Sequence, residues 1–455
     1  LKTVRIGAGQ GFLGDSPFPA LDVVRYGGVS YLCCDALAEL TLAILQKLRT
    51  RGAGAGWTPD LRTYMNLLLE ECRQRNIRII TSAGGLNPRG AATEIAEAAR
   101  VLGIRGLRVG IVEGDNISGC LDDLIQRGIS LDNLETGEPF SSLNREEVLF
   151  ANVYLGAGPI VEALNKGADV VVTGRCADTA LFLAPLIHEF GWSMTDWNRL
   201  AAGVVVGHLL ECSAQSTGGN FSGEWWNVPD MHRPGYPIAE VDEDGNAVLT
   251  KPEQCGGLVT RETVAEQLVY EVHDPARYLT PDVTADFTSV RLEDLGDNRV
   301  AVTEVRGGPR PEKLKVSIGY GSGWCGEMTV RYAWPDALQK AHKAEEIIRR
   351  QMALLQIKPQ EMIVEYLGVN SLLGPAADGR SEDLDEVGLR MAIRTRNRRE
   401  AELFPRLFPP LALSGPPGLG AGSFGDNRAR ELVCLWSALV PREEIKPVVE
   451  VLEVD

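Results

Sequence analysis

Between Gly167 and Gly223 the chain collects Arg175, Asp178, His188, His208, Glu211, Cys212, Thr217 and Asn220, including two of its five histidines. His208, Glu211 and Cys212 stand at i, i+3 and i+4 in AAGVVVGHLLEC, which reads as helix, so one face would carry an imidazole, a carboxylate and a thiol. The first two can move a proton, because a carboxylate fixes the tautomer of an adjacent imidazole and keeps the ring basic. His208 is therefore expected to move the proton and Glu211 to orient it, with Asp178 or Asp115 as the opposite acid. Cys212 offers a second chemistry, thiol-dependent hydrolysis with His208, although adjacent turns of one helix give that pair a poor in-line geometry. A metal would be a third use of these residues. HxxEC is no zinc signature, however, and the nine cysteines contain no CxxC, so no metal site is expected. Ser216-Thr217-Gly218-Gly219-Asn220 then forms a polar turn suited to an oxyanion or phosphate, with ordinary turn chemistry as the alternative.

The elements that must position these groups alternate. Strands are expected at 3–7, 30–34, 77–81, 107–112 and 169–173, with helices between them that reach about Tyr26, Leu48, Cys72 and Leu102. Connections of this length suit parallel crossovers, so the first half reads as α/β with a Rossmann-like, mostly parallel sheet. Polar residues follow each strand: Gly9, Gly11, Gly14 and Asp15; Asp35 and Glu39; Gly84, Gly85 and Asn87; Asp115 and Asn116; Arg175 and Asp178. In an open parallel sheet these positions share the carboxyl edge, where ligands bind. We take Asp15, Asn87, Asn116, Asn152, Arg175, His188, Thr217 and Asn220 as substrate contacts. Gly9, Gly11, Gly14, Gly84, Gly85, Gly218 and Gly219 are taken as backbone cradles for a phosphate-bearing ligand. The glycine spacing is not a dinucleotide fingerprint and GxxxxGK[ST] is absent, so neither NAD nor P-loop ATP hydrolysis is favoured.

With 46 basic and 62 acidic residues the net charge is -16, which disfavours a nucleic-acid partner. Scattered cysteines suit a reducing compartment. No signal peptide opens the chain and no apolar run reaches about 18 residues, so a cytoplasmic location without membrane association is expected. A homo-oligomer is expected as well.

A length of 455 residues suggests two domains. The texture changes after Trp225-Trp226, and a boundary near 235 divides a Rossmann-like domain, 1–235, from an α+β domain, 236–455. In the latter, alternation at 283–292, 299–305 and 313–320 predicts antiparallel strands, and Asp336–Leu355 an amphipathic helix. Residues 144–154 read as a helix carrying Asn152 and Tyr154, and 381–403 as a charged helix whose Arg394, Arg396, Arg398 and Arg399 form a basic cluster. The Pro/Gly-rich segment 409–425 reads as a lid, arm or linker.

Several long segments resemble the acyclic terpene utilisation AtuA family: GAGQGFLGD (7–15), YLCCDALAELT (31–41), SAGGLNPRG (82–90), ANVYLGAGPI (151–160), ADVVVTGRCADTALFLAPLIHEFGW (168–192) and GHLLECSAQSTGGNF (207–221). PIAEV (237–241), CGGLVTRETVAEQLVYEVHDPARYLTPDV (255–283) and the DAxxKA pattern at Asp336–Ala341 fit too, so the resemblance spans essentially the whole chain. At Gln254-Cys255-Gly256-Gly257 the family's G-T-G-G turn has lost its hydroxyl. The resemblance implies catabolism of branched organic acids or their acyl-CoA thioesters, with coenzyme A as substrate carrier. It also implies a small ferredoxin-like module as a further element or partner. A lyase or hydratase is the expected reaction class; the alternatives are the thiol-dependent hydrolase and a non-catalytic partner of an acyl-CoA carboxylase complex.

Overall fold

The computed structural model describes residues 2–52, 55–377, 384–420 and 428–455. It is a mixed α/β structure with several sheets, and it divides into two compact units. The first comprises 1–144, 148–319 and 435–455; the second comprises 145–147 and 320–434. This division does not coincide with a boundary near 235. Strands on both sides of that position share one sheet.

The sheet of the first unit has ten strands. In chain order they begin with β1 (Thr3–Gln10), β2 (Tyr31–Cys34), β3 (Arg78–Thr81) and β4 (Leu107–Glu113). The strand β5 (Val148–Val153) pairs elsewhere, with the strand Lys313–Ala333, and β6 (Val170–Thr173) returns to the sheet. The strands β1, β2, β3, β6 and β4 lie side by side in that order, all parallel. Antiparallel strands flank them: β7 (Ile238–Asp242) pairs with β1, β8 (Ala247–Thr250) with β7, and Val448–Val454 with β4. Runs such as TVRIGAGQ, YLCC and VVVT are buried on both faces because helices cover the parallel part, which is why they read as continuous apolar segments.

The helix Trp197–Glu211 is buried at every position from Leu200 to Glu211. A helix that is apolar nearly all round has no solvent face, so the His208 and Glu211 of its last turn go into the interior with it. Gly207 sets how close it comes to the loop after β6: a Cβ there would stand 2.9 Å from the Thr179 Cα and carbonyl oxygen. A three-stranded antiparallel sheet, Arg306–Gly308, Thr284–Asp286 and Tyr278–Leu279, adds aromatic rings around His208.

In the second unit the strands Glu361–Leu367, Glu386–Thr395, residues 320–333 and Leu419–Gly420 form an antiparallel sheet against the helix Ala337–Leu354. Two expected helices are strands. Residues 148–153, VLFANV, pair as β5. In Glu386–Thr395, Val387, Leu389, Met391 and Ile393 are buried on one face. That alternation outweighs the helical look of the interspersed charges. Among the described residues of the expected charged helix only Arg398–Leu403 is helical; its residues 381–383, and 421–425 of the Pro/Gly-rich segment, lie outside the described residues. The arginine cluster is dispersed onto partners: Arg394 pairs with Glu361, and Arg398 pairs with Glu402 and lies over the Trp324 ring.

Candidate functional site

The carboxyl ends of the parallel strands open onto a cavity of about 520 Å³. Gly11 and Phe12 enter it after β1, Asp35, Leu37 and Ala38 after β2, and Asp178 after β6. The end of the buried helix brings Glu211 and Cys212–Gln215, with Gly219 and Asn220 beyond, and Tyr270 and Glu271 close the wall. Volume and mixed lining are those of a small-molecule site.

Asp35 and Glu211 on this wall have little water to ionise into, while the Asp178 side chain is 36% exposed. Asp35 is 7% exposed, and its Oδ1 accepts from Ser82 Oγ at 3.0 Å and from the Leu37 amide at 3.3 Å. Burial first, and the nearby charge of Asp178 second, hold its pKa well above the carboxylate range. Burial also raises Asp178, against the pull of Arg175, whose Nη1 lies 2.9 Å from Asp178 Oδ1. Arg175 is 2% exposed; it donates to the Leu37 carbonyl and stacks 4.1 Å over the Tyr154 ring. A buried guanidinium held this way stays charged.

Glu211 and His208 form a pair. Glu211 lines the cavity, its Oε1 is 3.0 Å from His208 Nδ1, and its Oε2 is buried with no hydrogen-bond partner. His208 Nε2 donates to the Gln267 carbonyl at 2.8 Å, so the proton on that nitrogen is fixed. Burial disfavours the imidazolium, but the Glu211 hydrogen bond and charge outweigh it and raise the ring's pKa. Burial raises Glu211 in turn, against the His208 bond. The two groups therefore compete for a single proton across 3.0 Å. His208 does not line the cavity; it sits behind Glu211, packed against the rings of Tyr278 and Phe287.

The other sequence candidates divide by position. Gly11, Asp178, Glu211, Gly219 and Asn220 meet at the cavity, and Arg175 supports Asp178 from behind. Asp115 is buried away from it, accepting from Asn152 Nδ2 at 2.7 Å and the Arg175 amide at 2.8 Å, with burial pushing its pKa up to about 6. Asp115 and Asn152 thus brace the loop after β6. Asp15 ties the cavity rim together: it accepts from the Gly11 amide, Ser213 Oγ and Tyr236 Oη. Asn87 caps the helix Pro88–Val101, Asn116 accepts from the Ser118 amide, and Thr217 donates to the Ala214 and Gly235 carbonyls. His188 lies at the other edge of the sheet, between Asn165 and Arg78, the first residue of β3.

The glycine cradles are already occupied. The amide of Gly11 donates to Asp15 and that of Gly14 to Asp60, so the turn after β1 holds two of the chain's own carboxylates. The amides of Gly85, Gly218 and Gly219 close turns onto Ser82, Gln215 and Ala214. Gly9 is inside β1, where a Cβ would lie 2.6 Å from Cys34 Sγ, and Gly84 has the Thr173 carbonyl in the same role at 2.4 Å. These two glycines serve packing.

Asp35 is the site residue that the candidate set left out. It stands one residue past β2, at the carboxyl end of a parallel strand, as Asp178 stands five residues past β6. Gln215 and Gln267 carry no signal in the sequence, since their part depends on a contact across 52 residues that no local pattern shows. Among the described residues no group of three or more His, Cys, Asp or Glu is arranged to hold a metal ion, and no helix is long and apolar enough to cross a membrane.

The family description "Acyclic terpene utilisation family protein AtuA" matches residues 4–451. The chain therefore belongs to this family, which is implicated in acyclic terpene utilisation. Neither a curated protein nor a solved structure matches it.

Proposed function

We propose that this member of the acyclic terpene utilisation family is an acid–base enzyme of lyase or hydratase type, with Glu211 as the proton acceptor and Asp35 as the proton donor. The observation that carries the reading is Glu211 itself, a carboxyl group on the cavity wall with one oxygen backed by His208 and the other unpartnered. Asp35 complements it. Its environment keeps it protonated, so it offers a hydrogen to a leaving oxygen where Glu211 would take one from the substrate. In a dehydration, Glu211 would remove the proton next to a carbonyl while Asp35 protonates the departing hydroxyl, which leaves as water. The roles first expected of His208 and Glu211 are thereby exchanged: the carboxyl group faces the substrate and the imidazole supplies and takes back its proton.

The parallel strands, with their carboxyl ends at the cavity, support a Rossmann-like reading of this part of the fold. An acidic wall favours a substrate whose reacting end is uncharged, such as an acyl thioester, over a free carboxylate. Coenzyme A remains the proposed carrier, and a phosphate would have to be held elsewhere than on the amides of Gly11 and Gly14. The hydrolase alternative loses support because burial, reinforced by Glu211, raises the Cys212 thiol far from its nucleophilic form.

The test is solvent deuterium exchange into branched 3-hydroxyacyl and enoyl thioesters, comparing wild type with Glu211→Gln, Asp35→Asn and Cys212→Ala. Exchange should fall by about 100-fold or more in Glu211→Gln and persist in Cys212→Ala. Exchange that survives in the Glu211 variant, or is lost in Cys212→Ala alone, overturns the assignment.

A further inference from the structure

Behind the cavity wall a hydrogen-bond circuit leaves the site at Asn220 and re-enters it at Glu211. Asn220 Nδ2 donates to Gln215 Oε1 at 3.4 Å, and Gln215 Nε2 donates to Gln267 Oε1 at 2.7 Å. Gln267 Nε2 then donates to the His208 main-chain carbonyl at 2.8 Å, while the Gln267 main-chain carbonyl accepts from His208 Nε2, also at 2.8 Å. Gln267 is 1% exposed, and each of its polar side-chain atoms has a partner. The partners also fix its orientation, since only the NH₂ end can serve a carbonyl.

We infer that Gln267 is a positioning residue for the Glu211–His208 proton: gripping His208 by both main chain and ring, it holds the ring proton on Nε2 and turns Nδ1 toward Glu211. The inference rests on the acid–base reading of the cavity. Two features make this grip more than packing. First, the Gln267 carbonyl belongs to the last turn of the helix Arg261–Val269, where it accepts from the Tyr270 amide as well as from the ring and where the helix end favours a cation. Second, the circuit joins two residues of the cavity wall, Gln215 and Asn220, to the pair that carries the proton. The ionisable groups around the ring are Glu211 on its own helix, Glu271 just past the helix Arg261–Val269, and Tyr278 from the three-stranded sheet.

The experiment is ¹⁵N spectroscopy of the histidine side chains in the full chain without substrate. The chain has only five histidines, and His208→Gln identifies the resonance of interest. Wild type should show the proton on Nε2. In Gln267→Met the His208 midpoint should fall by about one pH unit, roughly a tenfold loss of proton affinity, with Nε2 no longer uniformly protonated. Gln267→Glu keeps an acceptor for Gln215, loses the donor to the His208 carbonyl and adds a negative charge near the ring, so its midpoint should fall less than that of Gln267→Met. Should the methionine variant not fold, Gln215→Leu frees the Gln267 side chain and should give a smaller shift of the same sign. A purely structural role would lower the melting temperature and leave the titration alone. A His208 midpoint within about 0.3 units of wild type in folded Gln267→Met, or in Gln215→Leu, overturns the inference. Because no turnover is involved, failure to find a substrate would count against the proposed function and leave this result standing.

Discussion

Changing Glu211 to glutamine keeps the size and shape of the side chain and removes its charge 3.0 Å from His208 Nδ1. At an effective dielectric of about 20, two unit charges at that distance attract by about 5 kcal/mol, so losing even half of this moves a pKa by roughly 2 units. Burial, which already opposes the imidazolium, is then opposed only by the weaker support of the Gln267 carbonyl and Glu271, and His208 should drop from above its usual 6.5 to below it. The stability curve should follow. In wild type the raised His208 contributes stability that is fully present below about pH 6.5 and lost as pH rises through its folded value. The raised Glu211 acts in the same direction, starting from about its unfolded value of 4.5. The variant has no carboxylate at 211, and its neutral ring is favoured above pH 6.5. The stability of Glu211→Gln relative to wild type should therefore climb between pH 5 and 9 by at least about 2 kcal/mol, at about 1.4 kcal/mol per unit of pKa moved. Urea unfolding at pH 5, 7 and 9 measures this directly. Parallel curves for the two proteins, or a variant that loses ground as pH rises, would refute the buried proton-sharing pair.

Asp115→Asn should act the same way at lower pH. Asp115 is raised to about 6 chiefly by burial, so its contribution is present below about pH 4 and lost as pH rises through 6. The asparagine variant should gain about 3 kcal/mol on wild type across that window, read from urea midpoints at pH 4 and 7. Gly84→Ala places a methyl group 2.4 Å from the Thr173 carbonyl oxygen and 2.9 Å from Pro88 Cα, both main-chain atoms, and should cost about 3 kcal/mol in unfolding experiments. Gly119→Ala, with nothing within 4 Å, should leave the unfolding midpoint nearly unchanged.

The parallel part of the fold was legible because its strands are short, β-branched and bounded by turns, and because each is followed by polar residues. The rule that ligands gather where parallel strands end pointed to Gly11 and Asp178, the helix-face spacing pointed to Glu211 and the polar turn to Asn220, and all four lie on the cavity. The same rule named Asp35 without promoting it, since a lone aspartate after YLCC carries no mark of its eventual burial. Asp15, Asp115 and Asn152 show the converse. Polar residues at strand ends also build the loops, and only the identity of their partners separates a brace from a ligand contact. The His208–Glu211 spacing placed the two on one helix face, but which of them faces the cavity depends on how the helix is rotated in the core. An apolar helix such as AAGVVVGHLL gives no periodicity from which to read that rotation.

The edge strand Val448–Val454 is the last element of the chain, yet it covers β4, which ends at Glu113. During synthesis β6, the neighbour on one edge of β4, follows soon after, whereas the partner of the other edge appears more than three hundred residues after β4 itself. Until then that edge of β4 presents unpaired amides and carbonyls of LRVGIVE to whatever is near, a template for pairing with another copy of the chain. Truncations that remove the final strand would make that temporary exposure permanent. They would act as aggregation mutants even though they touch no residue of the cavity.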